Sequence, residues 1–176
     1  MNDPAKKLEN LTVDLENAKR FFFKNIEKMD STVRVYTHID ADGIAAGAIL
    51  GKALYRANIP FQITVLRQLE REEILKIASS ESNNFIIFSD FGSGQYLELQ
   101  EKLIENGHLA PFLILDHHIP QNIANKEDFD SIENIHIETT PWQINPYFYD
   151  IDGSSEISGA GICYYFAKCL NEKNLD

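Results

Sequence analysis

The sequence predicts an α/β fold: a mostly parallel β-sheet flanked by helices on both faces, with a leading N-terminal helix. Two observations predict this. Short β-branched and aromatic runs alternate with stretches of helical apolar spacing from Val33 to Leu115, and strands alternating with helices imply parallel pairing with both faces covered. In addition, three of the apolar runs stop abruptly at acids or histidines, as strands do when their carboxyl ends carry function.

The elements follow in order. From Pro4 to about Lys28 the apolar positions Leu8, Leu11, Leu15, Ala18, Phe22 and Ile26 step by three or four, predicting an amphipathic leading helix. Val33 to Thr37 predicts a strand, followed by a polar loop and an alanine-rich helix from Ile44 to Ala57 that Asn58-Ile59-Pro60 ends. The alternation repeats with strands at Phe61–Leu66, Phe85–Ser89 and Phe112–Leu115, and helices at Glu70–Ser79 and Tyr96–Asn106. Residues Gln121 to Glu133 are polar and irregular, Ile135–Glu138 fits a further short strand, and Gly161–Asn171 fits a closing helix. There is no internal repeat.

At 176 residues, 44% of them hydrophobic, the chain can bury the core of one domain without disulfides or a structural metal. No apolar run approaches the roughly 20 residues of a membrane span, and Met1 to Lys7 lacks a signal core, so the expectation is a cytoplasmic protein with no membrane partner. Cys163 and Cys169, six apart on the closing helix, sit roughly 9 Å apart along its axis, too far to pair. Sixteen basic residues against 27 acidic ones give a net charge of −11, which opposes non-specific binding of nucleic acid by the bare chain. Bound divalent cations would reverse that potential locally.

The chemistry gathers at strand ends. Val33-Arg34-Val35-Tyr36-Thr37 runs into His38-Ile39-Asp40-Ala41-Asp42-Gly43, Phe85-Ile86-Ile87-Phe88-Ser89 into Asp90, and Phe112-Leu113-Ile114-Leu115 into Asp116-His117-His118. Singly, each has an ordinary reading as a helix cap, a polar turn or an exposed histidine pair. Jointly they fit a metal centre, because a parallel sheet brings the ends of its strands to one edge. Hard carboxylate oxygens mixed with imidazole suit Mn²⁺ or Mg²⁺ better than a thiolate zinc site, and neither cysteine lies in these segments. His108 and His136 match no such pattern and read as ordinary surface or core residues. The run Gly153 to Gly161 carries two readings: a loop capping the last helix through Ser158, or a helix N-terminus whose backbone N–H groups meet a substrate phosphate at Ser158, Gly159, Ala160 and Gly161.

The segments Thr37–Gly43, Ser89–Gly94 and Asp116–His118 resemble the first three motifs of the DHH phosphoesterases, a superfamily that includes RecJ exonucleases, oligonucleotide and cyclic-dinucleotide phosphodiesterases and manganese pyrophosphatases. The leading helix, Asn145-Pro146 and the run Asp152 to Gly161 resemble its archaeal RecJ-like branch. The resemblance implies one metal held by His38, Asp40 and Asp90 and a second by Asp42, Asp90 and His117, with Asp90 bridging. It further implies that His118 faces the phosphate and that Asp116 orients a neighbouring imidazole. Two Mn²⁺ ions are expected, with Mg²⁺ as a substitute.

The implied function is a two-metal phosphodiester hydrolase, a 5′–3′ exonuclease on single-stranded DNA or RNA serving DNA repair or replication. The alternatives are a replication scaffold binding GINS and the MCM replicative helicase, and a small oligonucleotide or cyclic-dinucleotide phosphodiesterase. The expected organisation is a leading helix over residues 1–30 and a DHH phosphoesterase domain over 31–176, truncated before the family's fourth motif and C-terminal substrate-binding domain.

Overall fold

The computed structural model describes residues 4–27, 32–80, 84–105, 111–121, 142–171 and 173–175. The elements are α1 (Pro4–Ile26), β1 (Val33–His38), α2 (Ala41–Arg56), β2 (Phe61–Leu66), α3 (Arg71–Ser80), β3 (Ile86–Ser89), α4 (Tyr96–Glu105), β4 (Phe112–Leu115), β5 (Trp142–Ile144) and α5 (Gly159–Leu170). Short 3-10 turns at Ser93–Gln95 and Pro146–Tyr149 complete them. The five strands form one sheet in the order β2-β1-β3-β4-β5, and all four pairings are parallel.

Side chains that alternate along a strand point to opposite faces, so each face needs its own cover. On one face Val33, Val35, Ile87, Leu113, Leu115 and Ile144 pack beneath α1, α2 and α5, with Leu15, Phe22, Leu50, Leu54, Ile162 and Phe166 in the same core. On the other, Tyr36, Ile86, Phe88, Phe112 and Ile114 meet Ile74 and Ile77 of α3 and Leu99 and Leu103 of α4. The leading helix belongs to the first layer. Its Phe22 is fully buried, with ring centroids 5.2 Å from Phe85 and 6.1 Å from Phe166 in edge-on contact.

The sheet and its two covered faces are as the sequence predicts, with two helices starting earlier and one strand added. Helix α2 begins at Ala41 because the Asp40 side chain caps it, accepting from the Gly43 N–H at 2.9 Å. Helix α5 begins at Gly159, capped by Ser158. Strand β5 was not anticipated: Trp142-Gln143-Ile144 offers three residues just before Asn145-Pro146, too few for an alternation to register. The strand expected at Ile135–Glu138 lies outside the described residues, as do His108 and His136. Cys163 and Cys169 are free. Among the described residues no helix is long and apolar enough to cross a membrane.

Candidate metal centre

The chain leaves β1 for β2 on one side and returns to β3 on the other, so the carboxyl ends of β1 and β3 flank the point where strand order reverses, the place where open parallel sheets form a crevice. Register does the rest. Thr37 pairs with Ser89 and Ser89 with Leu115, so the residues that follow, His38, Asp90 and Asp116, come side by side at the carboxyl edge of the sheet. Asp40 and Asp42 then arrive on the cap and first turn of α2.

Asp90 is the centre of this arrangement. Its side chain is essentially fully buried, its backbone is held in the left-handed region at φ 63°, and its N–H donates to Leu115 O at 2.9 Å. His117 Nε2 lies 3.2 Å from Oδ1 and His38 Nδ1 lies 3.8 Å from Oδ2, yet neither oxygen receives an aligned hydrogen bond. Burial pushes this carboxyl above its usual range, reinforced by the charges of Asp42 and Asp40 and opposed by His117. A buried carboxylate without hydrogen bonds is costly, and a bound cation would offset that cost. The residues present therefore fit a divalent metal.

Two groups of donor atoms converge on Asp90, each spanning no more than 4.8 Å: His38 and Asp40 on one side, His117 and His118 on the other. His38 Nδ1 sits 3.0 Å from Asp40 Oδ2. The Asp40 carboxyl is lowered from its ordinary value, first by the Gly43 N–H. Nδ1 of His117 lies 2.6 Å from Gly153 O, turning Nε2 toward Asp90 and toward Asp42, whose Oδ2 is 3.4 Å away. The His117 pKa is raised to about 9, chiefly by Asp90.

Asp42 lies beside the second group but is already engaged. Its oxygens accept from the backbone N–H groups of Gly159 at 2.8 Å and Ala160 at 2.9 Å, while Ser158 Oγ takes the Gly161 N–H at 3.2 Å. Burial alone would raise the Asp42 carboxyl, but these hydrogen bonds outweigh it and the net shift is downward. The terminus of α5 thus meets a protein carboxylate, and Ser158 caps it. Helix α5 can approach this closely because residue 159 is glycine: a Cβ there would stand 2.3 Å from Asp90 Oδ1.

Asp116 is fully buried and orients His118, with Oδ1 2.8 Å from the ring Nδ1 and also accepting from the backbone N–H groups of His117 and His118. Oδ2 accepts from the Ser93 N–H at 2.9 Å. Burial opposes ionisation here, but hydrogen bonds led by His118 hold the carboxyl below its ordinary value. Behind it Ser93 Oγ accepts from Gln143 and Asn145, and Asn145 also donates to His118 O at 2.8 Å. Sequence reasoning named Asp116 and Asn145 but missed their link through Ser93, since Ser93 and Gln143 are ordinary polar residues from distant parts of the chain.

A cleft of about 440 Å³ opens beside the centre, with His38, Asp90 and His118 on one wall and Arg67 and Gln68 on another. Arg67 is the sole lysine or arginine in that lining and was also missed. Its only signal in the sequence is its place, directly after β2, next to the strand that carries His38.

Residues 32–176 match the N-terminal domain of the DHH family. The chain belongs to this family. It is 41% identical over 138 residues to an uncharacterized protein of Methanocaldococcus jannaschii, an alignment that takes in 77% of this chain and 28% of that protein. The DHH-family fold is similar to exonuclease RecJ bound to manganese, at TM-score 0.65 and 21% identity over 90% of this chain and 37% of that one. It is similar also to RecJ in complex with Mn²⁺ from Thermus thermophilus, at TM-score 0.63 and 21% identity over 91% and 21%. CDC45 from Entamoeba histolytica follows at TM-score 0.53 and 19% identity over 95% and 30%. The chain therefore spans less than two fifths of each of these proteins.

Proposed function

We propose that this DHH domain is the catalytic part of a metal-dependent phosphodiester hydrolase, a RecJ-like exonuclease acting on single-stranded nucleic acid. One observation carries the reading: the buried Asp90 carboxylate, bare of hydrogen bonds, stands between two groups of ligand-type side chains. The resemblance in fold to manganese-bound RecJ supports it.

His38, Asp40 and Asp90 would hold one divalent ion, and Asp90 and His117, with His118 or Asp42 beside them, a second; Mn²⁺ is the first choice and Mg²⁺ the substitute. Such a pair would supply an activated water and charge stabilisation for the oxygens of an in-line displacement. The chain's own groups do the remaining work. His118, its Nδ1 fixed by Asp116, presents Nε2 at the cleft, where it orients a phosphate oxygen. Arg67 offers the planar donor fork that suits phosphate. We assign the phosphate grip to these two side chains rather than to Ser158, Gly159, Ala160 and Gly161, because the N–H groups of Gly159 and Ala160 already serve Asp42 and that of Gly161 the Ser158 cap.

The similarity to CDC45 favours a second reading, a scaffold that contacts GINS and the replicative helicase. The clustered acids weigh against a scaffold alone, because crowding carboxylates without a cation costs stability. End-labelled single-stranded DNA and RNA incubated with the full-length protein and Mn²⁺ separate the readings. Release of mononucleotides, abolished by chelator, is expected. An inert protein that nevertheless binds GINS would overturn the enzyme.

A further inference from the structure

The run Asp152 to Glu156 stands outside the ligand groups, yet it touches them at one atom. The Gly153 carbonyl oxygen lies 2.6 Å from His117 Nδ1. A carbonyl can only accept, so Nδ1 carries the proton, and in a neutral ring the lone pair is then left on Nε2. That nitrogen is the one facing Asp90 and Asp42. The approach is tight: a Cβ on Gly153 would stand 2.0 Å from His117 O, so only glycine lets the turn lie against the histidine backbone.

What holds Gly153 there is its neighbour. Asp152 Oδ1 accepts from the Ser154 N–H at 2.8 Å, the Ser154 hydroxyl at 2.7 Å and the Tyr147 hydroxyl at 3.2 Å, and Oδ2 accepts from the Ser155 hydroxyl at 2.8 Å. The Asp152 N–H donates to Glu156 at 2.7 Å, and its carbonyl accepts from the Glu156 N–H at 2.8 Å. These donors, Ser154 first, hold the carboxyl down at about 2. Ser154, Ser155 and Glu156 are exposed and the apolar packing comes from the flanking Ile151 and Ile157, so the shape of the turn between them is set by this carboxylate.

We infer that Asp152 is a positioning residue for the metal centre: by folding the turn that presents the Gly153 carbonyl to His117 Nδ1, it reserves Nε2 for a cation. The inference rests on the metal reading above. Partners of this kind, one bond removed from a ligand, typically change metal affinity about 10–100-fold when lost.

The test uses the full-length protein and two readouts. One is the exchange-protected Nδ1–H resonance of His117 in the metal-free protein by NMR; the other is Mn²⁺ affinity by calorimetry. Asp152→Ala is expected to lose the protected resonance and to weaken Mn²⁺ binding about 10–100-fold. Asp152→Asn, whose amide oxygen still accepts from the Ser154 N–H, should restore most of both. Should Asp152→Ala not fold, the Ser154→Ala/Ser155→Ala variant carries the same readouts, with intermediate losses expected. Unchanged resonance and affinity in a folded variant lacking the carboxylate would overturn the inference. Failure of the unsubstituted protein to bind Mn²⁺ would instead overturn the metal reading, and the His117 resonance would then decide the role of Asp152 by itself.

Discussion

The Asp42 carboxylate closes the N-terminus of α5 by accepting the Gly159 N–H at 2.8 Å, across 117 residues of sequence. One side chain thereby ties the first turn of α2 to the first turn of α5, beside the metal centre. Helix N-termini gain from an acceptor and from negative charge. Asp42→Ala should therefore lower the unfolding free energy in urea by about 1–2 kcal/mol even without metal. Asp42→Ser, which keeps only a short acceptor, should recover little of it.

Asp90 separates function from stability. Asp90→Ala removes a group shared by both ligand groups, and full-length protein carrying it should lose more than about a hundredfold in activity, beyond what loss of a partner one bond removed from a ligand costs. Metal-free stability should not fall in parallel, because the substitution also deletes a buried carboxylate without hydrogen bonds. The backbone there is left-handed, so Asp90→Gly should be more stable than Asp90→Ala by about 1 kcal/mol in chemical denaturation. Equal stabilities would contradict the backbone assignment.

Arg67 should act on binding. Arg67→Ala is expected to raise KM for single-stranded substrate about tenfold, the worth of roughly one charge-assisted contact, with a smaller change in kcat. Arg67→Lys should recover part of the loss, since it keeps the charge without the fork. A kcat effect with KM unchanged would remove Arg67 from the phosphate grip.

Acid should loosen the Asp152 turn in a defined window. The folded carboxyl titrates at about 2 against an ordinary 3.8, so its stabilising share is complete above about pH 4 and disappears as pH falls toward 2. Thermal unfolding of Asp152→Asn, compared with the parent between pH 5 and about 2, should show a flatter acid limb. Parallel limbs would mean that the carboxylate is no better satisfied folded than unfolded.

The leading helix should be indispensable. Phe22 fills the core between Phe85 and Phe166, and Phe22→Ala should cost about 3–5 kcal/mol in denaturant unfolding. A loss below about 1 kcal/mol would show α1 to be a mere appendage.

How much of this was legible depends on the range of the cause. Strands β1, β3 and β4 and the residues capping them were readable because each apolar run breaks at a ligand-type side chain, a local contrast. His38, Asp40, Asp90 and His117 are brought together as parallel pairing requires. The first turn of α2 was hidden, since Asp40-Ala41-Asp42-Gly43 looks like a polar loop until the Asp40 cap is seen. Likewise nothing local to Gly159 or Ala160 announces that a distant aspartate takes their N–H groups, and the Ser93-Asn145-Asp116 network exists only once β3, β4 and β5 lie adjacent.

Because all four strand pairings are parallel, every one of them waits for a crossover to be completed. During synthesis the chain that has emerged as far as Asp90 already displays the crowded acids Asp40, Asp42 and Asp90, while the imidazole of His117 and the carbonyl of Gly153 are still to be made. A nascent chain thus carries the repulsion of the centre before it carries its relief. Synthesis through α5 supplies the Gly159 and Ala160 N–H groups that fix Asp42, so maturation of the centre is coupled to the docking of this helix.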